Sequence, residues 1–155
     1  MEKIQSDNMK IMLVCNNGGH LNEMLFLMEA FEGHDVFFII YDDPRAKQLK
    51  YKKYVMESIG TNSWKMLKGF FKTIKILKKE RPNLIISTGS EIAIPSFILA
   101  RFLKIKTIYI ESWCRVKTRS GTGRILYYFS NVFLVQWENL LKKYGRKARF
   151  EGGVI

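Results

Sequence analysis

The chain has 155 residues and is 47% apolar, which is enough to bury one real core and excludes a disordered chain. Lys and Arg total 26 against 14 acids, a net charge of +12 that points to a polyanionic neighbour: nucleic acid, an anionic membrane surface or phosphorylated ligands. The length excludes an enzyme with donor on one domain and acceptor on another.

Lys10 to Cys15 is a short apolar run, predicted as a buried first strand, and Asn16-Asn17-Gly18-Gly19 is the loop after it. Leu21, Met24, Leu25, Leu27 and Met28 recur at helical spacing between His20 and Phe31, and Gly33 ends that helix. Val36 to Tyr41 is a second strand, and Asp42-Asp43-Pro44 is a turn with Pro at a helix start. Arg45 to Tyr54 stays open between a helix and an ordered loop, followed by a short strand at Val55-Met56. Ser63 is placed to cap a helix from Trp64 to Lys79, which Glu80-Arg81-Pro82-Asn83 terminates.

Leu84 to Ser87 is a strand, Thr88-Gly89-Ser90 a polar loop with Ser90 as cap, and Ile92 to Leu103 a helix with Pro95 in its first turn. Thr107 to Ile110 is the next strand, and Val116 to Gly123 a polar loop. A helix from Arg124 to Phe129, a strand from Val132 to Val135, a helix from Glu138 to Tyr144 and a last strand from Arg149 to Ile155 complete the chain.

Strands and helices alternate, and the strands are apolar without alternation, the mark of a parallel sheet covered on both faces. The expected fold is one Rossmann-like α/β domain over residues 1–155, its mostly parallel sheet flanked by helices. No apolar run reaches the roughly 20 residues of a membrane span, and the polar start has no signal-peptide core. Cys15 and Cys114 lack metal or disulfide spacing and read as two reduced, buried thiols. The chain is expected in the cytoplasm, soluble or peripheral at a membrane face.

Ligands of such sheets bind at the carboxyl ends of the strands, so the loops there carry the candidates. In Asn16-Asn17-Gly18-Gly19-His20 the glycines allow close backbone approach, and the following helix N-terminus favours an anion. The pattern is neither the dinucleotide fingerprint nor a P-loop. His20 reads either as a capping or solvated histidine, or as a general base or phosphate contact. Glu111 emerges at the end of a strand, placed to accept from a ligand hydroxyl, and Arg115 is suited to a phosphate; the alternative is that these two simply pair. Asn16, Gly18, Gly19, Gly89, Ser112 and Arg115 are the candidate substrate-binding residues, and His20 and Glu111 the catalytic ones. No metal is implied, because no ligand cluster and no Asp-x-Asp motif occurs.

In the helix over 64–79, Trp64, Leu67, Phe70, Phe71, Ile74 and Leu77 are expected on one face and Lys65, Lys68, Lys72, Lys75, Lys78 and Lys79 on the other. That pattern fits a core helix with a solvated basic back, or a helix lying on an anionic membrane through Trp64, Lys65, Lys68, Lys72 and Lys75.

Gly18-Gly19-His20 with Leu21 and Glu23-Met24-Leu25 resembles the signature of PssD/CpsF-type polysaccharide-biosynthesis proteins and of the membrane-anchoring subunit of the UDP-N-acetylglucosamine transferase of asparagine-linked glycosylation. Ile108-Tyr109-Ile110-Glu111-Ser112, Arg115-Val116, Ser120, Gly123, Val135-Gln136-Trp137, Tyr144 and Phe150-Glu151-Gly152 extend the resemblance over nearly the whole chain. It implies the N-terminal, acceptor-side half of a GT-B glycosyltransferase, similar to that half of MurG. It further implies a separate subunit that binds the UDP-sugar, heterodimer assembly at the cytoplasmic membrane face, and a polyprenyl-diphosphate-linked acceptor. No cofactor of this chain's own is implied, and the chain is expected to be inactive alone. His20 would be the base; Gly18 and Gly19 would cradle the diphosphate or reaction centre; Glu111, Ser112 and Arg115 would shape the cleft. The eukaryotic anchor carries an N-terminal membrane helix; nine residues precede the first strand here, so membrane contact is expected to rest on the surface itself. Gln136, Trp137 and the helix around Leu140-Leu141 are the expected partner interface.

Other classes make distinct expectations. A non-catalytic scaffold that recruits its partner would tolerate Ala at His20 and Glu111. A nucleic-acid binder would fit the charge, but no RRM, helix-turn-helix or zinc motif occurs. A free-standing dehydrogenase or methyltransferase lacks its glycine fingerprint, although Asp42 or Asp43 stands roughly where a ribose-binding acid would.

Overall fold

The computed structural model describes residues 8–58 and 62–154; the polar start over 1–7 and the final Ile155 lie outside the described residues. The strands are β1 Lys10–Val14, β2 Asp35–Tyr41, β3 Lys52–Met56, β4 Leu84–Ser87, β5 Lys106–Ile110, β6 Val132–Val135 and β7 Ala148–Phe150, the edge strands β3 and β7 being the least apolar. All seven pair in parallel, in the order β3-β2-β1-β4-β5-β6-β7. The chain winds from β1 out to β3, then returns to β4 beside β1. That reversal is a topological switch point, where adjacent loops diverge and leave a crevice above the sheet.

The helices are α1 Gly19–Phe26, α2 Pro44–Gln48, α3 Ser63–Glu80, α4 Ala93–Leu103, α5 Gly121–Phe129 and α6 Leu141–Tyr144. Successive strand side chains point to opposite faces, so the sheet feeds two cores. On one face Met12, Phe37, Ile85, Tyr109 and Phe133 pack with Ile76 and Leu77 of α3, Phe97 of α4 and Leu126 of α5. On the other, Ile11, Leu13, Phe38 and Ile86 pack with Leu21 and Met24 of α1 and Ala46 of α2. Each buried Leu, Ile, Phe or Met side chain among these contributes roughly 2 kcal/mol relative to exposure.

Several elements differ from expectation. The first helix breaks at Leu27 into a 3-10 turn over Met28–Phe31. The open segment after Pro44 resolves into short α2 and a β3 that begins at Lys52, three residues earlier than expected. Asn62, not Ser63, caps α3: its Oδ1 accepts from the amides of Trp64 and Lys65 at 3.0 and 3.3 Å. Ser90 does not cap α4 through its side chain, which donates to Glu91 instead. Part of the loop over 116–123 is helical, because Ser120 Oγ accepts from Gly123 N at 2.8 Å and starts α5. The segment over 138–144 divides into a 3-10 turn and α6. Cys15 is buried, and that burial pushes its thiol up to about 12, but Cys114 is exposed.

The faces of α3 are the main correction. Gly69, Thr73, Ile76, Leu77 and Glu80 turn inward, while Trp64, Leu67 and Phe71 stay 75%, 47% and 60% exposed. The inward stripe accepts polar residues because each is satisfied: Thr73 donates to the Gly69 carbonyl, and Glu80 binds Lys10, Lys52 and Tyr54. The exposed aromatics therefore share their face with lysines.

Candidate functional site

The crevice at the switch point is a cleft of about 490 Å³ lined by Gly19, His20, Ser90, Tyr109, Ser112, Cys114, Arg115 and Ser120. β1 delivers Gly19 and His20, β4 delivers Ser90, and β5 carries Tyr109 itself and delivers the remainder through the segment that follows it. Gly18 has φ +83, so it makes the left-handed turn that a side chain resists, and α1 begins at the next residue.

The position of His20 fixes its chemistry. Its Nδ1 lies 2.9 Å from the Thr88 carbonyl, which can only accept, so Nδ1 carries the proton. Nε2 is then the basic nitrogen of the neutral ring. The Thr88 hydroxyl donates back to the His20 carbonyl at 2.7 Å, clamping the start of α1 to the end of β4. Gly89 lies under the ring: a Cβ there would stand 2.6 Å from Cε1 and 2.8 Å from Nδ1 of His20. Gly89 is thus a packing glycine beneath the candidate base, buried away from the cleft. Asn16 accepts from the Asn17 amide, and Asn17 donates to the Tyr41 carbonyl, so both side chains shape the loop.

Glu111 is fully buried and does not line the cleft. Its carboxylate accepts from Tyr109 Oη at 3.3 Å, the Ser112 amide at 3.0 Å, the Ser120 amide and hydroxyl at 3.1 and 3.0 Å, and Tyr144 Oη. Burial, then the adjoining Glu111, pushes the Tyr109 and Tyr144 hydroxyls above their ordinary range, so both remain donors. Glu111 cannot meet a substrate without losing these bonds. It pins both ends of the segment from Ser112 to Ser120, and that segment presents Cys114 and Arg115. Arg115 is exposed and does not pair with Glu111; the described ion pairs are Lys10 to Asp35 and Glu80, and Lys52 to Glu80.

Of the residues expected at the partner interface, two point inward. Gln136 is buried and Leu140 lies in the core, so neither side chain can meet a second protein directly. Trp137 is half-buried: its ring packs against Trp113 at a 45° tilt with centroids 4.5 Å apart, and its Nε1 donates to the Trp113 carbonyl at 2.7 Å. Sequence reasoning missed Ser90, Tyr109, Cys114 and Ser120 in the cleft lining. It also missed Glu23, a nearly buried acid three residues after His20 and hence on the same helix face. Burial raises the Glu23 carboxyl against donors and the nearby His20, which hold it down.

Among the described residues no group of three or more His, Cys, Asp or Glu comes together to hold a metal. No described helix is long and apolar enough to cross a membrane.

A family model described as "Oligosaccharide biosynthesis protein Alg14 like" matches residues 42–154. The human "UDP-N-acetylglucosamine transferase subunit ALG14" is 25% identical, covering 96% of this chain and 84% of the relative. A Staphylococcus haemolyticus enzyme is 30% identical over 88% of this chain and 43% of its own length; it is called UDP-N-acetylglucosamine--N-acetylmuramyl-(pentapeptide) pyrophosphoryl-undecaprenol N-acetylglucosamine transferase. Acinetobacter baumannii MurG superposes with a TM-score of 0.77 at 17% identity, covering 94% of this chain and 46% of that one. The chain thus spans less than half of these last two proteins, and the MurG likeness speaks for the fold.

Proposed function

From the premise that this chain belongs to the Alg14-like family of oligosaccharide biosynthesis proteins, we propose that it is the acceptor-side subunit of a split UDP-N-acetylglucosamine transferase. A second subunit binds most of the UDP-sugar, and the two complete one enzyme at the cytoplasmic membrane face. The acceptor is a saccharide linked to a polyprenyl diphosphate, and no cofactor of this chain's own takes part. The observation that carries the reading is the cleft at the switch point, where the Thr88 carbonyl holds His20 with Nε2 as its basic nitrogen.

In the reaction the acceptor hydroxyl attacks the anomeric carbon of the UDP-sugar. The new carbon–oxygen bond forms, the bond to UDP breaks, UDP leaves with its electron pair, and the hydroxyl proton passes to His20 Nε2. Arg115 and the N-terminus of α1 face the acceptor's diphosphate with positive charge. Stabilisation of the departing UDP comes from the partner subunit.

The exposed Trp64, Leu67 and Phe71, set among Lys65, Lys68, Lys72 and Lys75, support peripheral membrane contact through α3. Aromatic side chains enter the interface while the lysines meet lipid phosphates.

The test is reconstitution. The chain alone, the UDP-sugar-binding subunit alone and the co-purified pair are each offered UDP-N-acetylglucosamine and a polyprenyl-diphosphate-linked acceptor. Transfer by the pair only is the expected result. Full transfer by the second subunit alone would reduce this chain to a scaffold.

A further inference from the structure

We propose that Glu23 is a positioning residue for this transfer: its buried carboxylate ties the helix that bears His20 to the segment that bears Arg115 and to the end of β6. The inference rests on the transferase reading above and deepens it.

Glu23 is 2% exposed and sits on α1 beside Leu21 and Met24, where an apolar side chain would pack without desolvating a charge. What the carboxylate adds is direction. Oε1 accepts from Ser112 Oγ at 2.9 Å and from the Trp113 amide at 3.2 Å. Oε2 accepts from Gln136 Nε2 at 3.1 Å. Three donors from two other strand ends thus converge on one residue of the base-bearing helix. Ser112 lines the cleft, and Trp113 and Cys114 lead from it to Arg115.

Gln136 is itself locked. Its Nε2 also donates to the Glu111 carbonyl at 3.0 Å, and its Oε1 accepts from the Val154 amide at 2.9 Å. It cannot turn its amide over without losing both bonds. A glutamine at 23 would keep the shape but place an NH2 group against one of these donors. Glu111 pins the ends of the 112–120 segment to one another, whereas Glu23 pins its start to α1. Without Glu23 nothing among the described side-chain bonds joins that segment to the helix of His20. The distance between base and diphosphate site would then drift, although the core remained intact.

The experiment compares wild type and Glu23→Gln by amide hydrogen exchange and, as the co-purified pair, by steady-state transfer. Exchange in the 112–116 segment should quicken about tenfold or more, while β1 and β4 stay unchanged. In transfer, kcat should fall about tenfold with KM for the UDP-sugar unchanged. Should Glu23→Gln fail to fold, Ser112→Ala removes one bond from the loop side, and exchange of the same segment should quicken about threefold. Unchanged exchange overturns the tie, and quickened exchange with unchanged kcat overturns the positioning role. A wild-type pair that transfers no sugar overturns the transferase reading and the positioning role with it, while the exchange result still decides the tie.

Discussion

At the residue scale, one contact decides what His20 can do. A histidine at a helix start could equally cap, contact phosphate or wander in solvent, and sequence leaves these readings open. The Thr88 carbonyl removes the choice of tautomer. Thr88 lies 68 positions away, so no local pattern announces it. Gly89 carries the same lesson, because its role is to leave room for the ring. Gly89→Ala should displace His20 and lower kcat about tenfold or more, and its φ of +129 adds a stability cost of about 1 kcal/mol. Kinetics with thermal unfolding separate the two effects. Glu111 was legible as a special acid at a strand end, but its donors come from Tyr109, Ser112, Ser120 and Tyr144, and only folding shows that they saturate it.

Glu80, at the opposite end of the sheet, is a third buried acid, after Glu23 and Glu111, with another purpose. Lys52 Nζ at 2.8 Å, then Tyr54, hold its carboxyl at about 2, against an ordinary 4.5. A carboxyl lowered by folding contributes stability that is present above its unfolded value and lost as pH falls through its folded one. The margin of wild type over Glu80→Gln in urea unfolding should therefore be constant above about pH 4.5 and shrink toward pH 2. A margin independent of pH would contradict this.

At the scale of elements, β1, β2, β4, β5 and β6 were legible because each is a short, largely apolar run between turn residues, and the parallel sheet followed from the absence of alternation; the edge strands β3 and β7 carry Lys52, Lys53 and Arg149, which blurred their bounds. Helix faces were less so. In α3, counting apolar residues put Trp64, Leu67 and Phe71 inward, whereas Gly69, Thr73 and Glu80 take those places. Small and well-paired polar residues let α3 lie close to its neighbours, and the aromatics are left to the surface. Its mixed aromatic and basic face should bind anionic vesicles. Each of Lys65→Ser, Lys68→Ser and Lys72→Ser should weaken that binding by about 1 kcal/mol, roughly fivefold, and Trp64→Ser should also weaken it without added salt sensitivity. Co-sedimentation at several salt concentrations checks both, and equal binding to neutral and anionic vesicles would remove the electrostatic part.

At the scale of the whole molecule, the net charge of +12 and the length of 155 residues acquire meaning together. One sheet with one switch point brings His20, Arg115 and the N-terminus of α1 to one rim. The chain spans 46% of MurG, a likeness that speaks for the fold, and the second subunit belongs to the proposed function. Loop positions along the chain were legible as the rim of the cleft. Their connection was not: Glu23, Gln136 and Val154 meet across 131 positions of sequence, from 23 to 154. The most direct measurement is the single-turnover rate of sugar transfer by the co-purified pair carrying His20→Ala, with assembly verified by sedimentation. The account predicts a rate lower by about a hundredfold or more, with the UDP-sugar bound as tightly as in wild type. Transfer at the wild-type rate by that complex would contradict it.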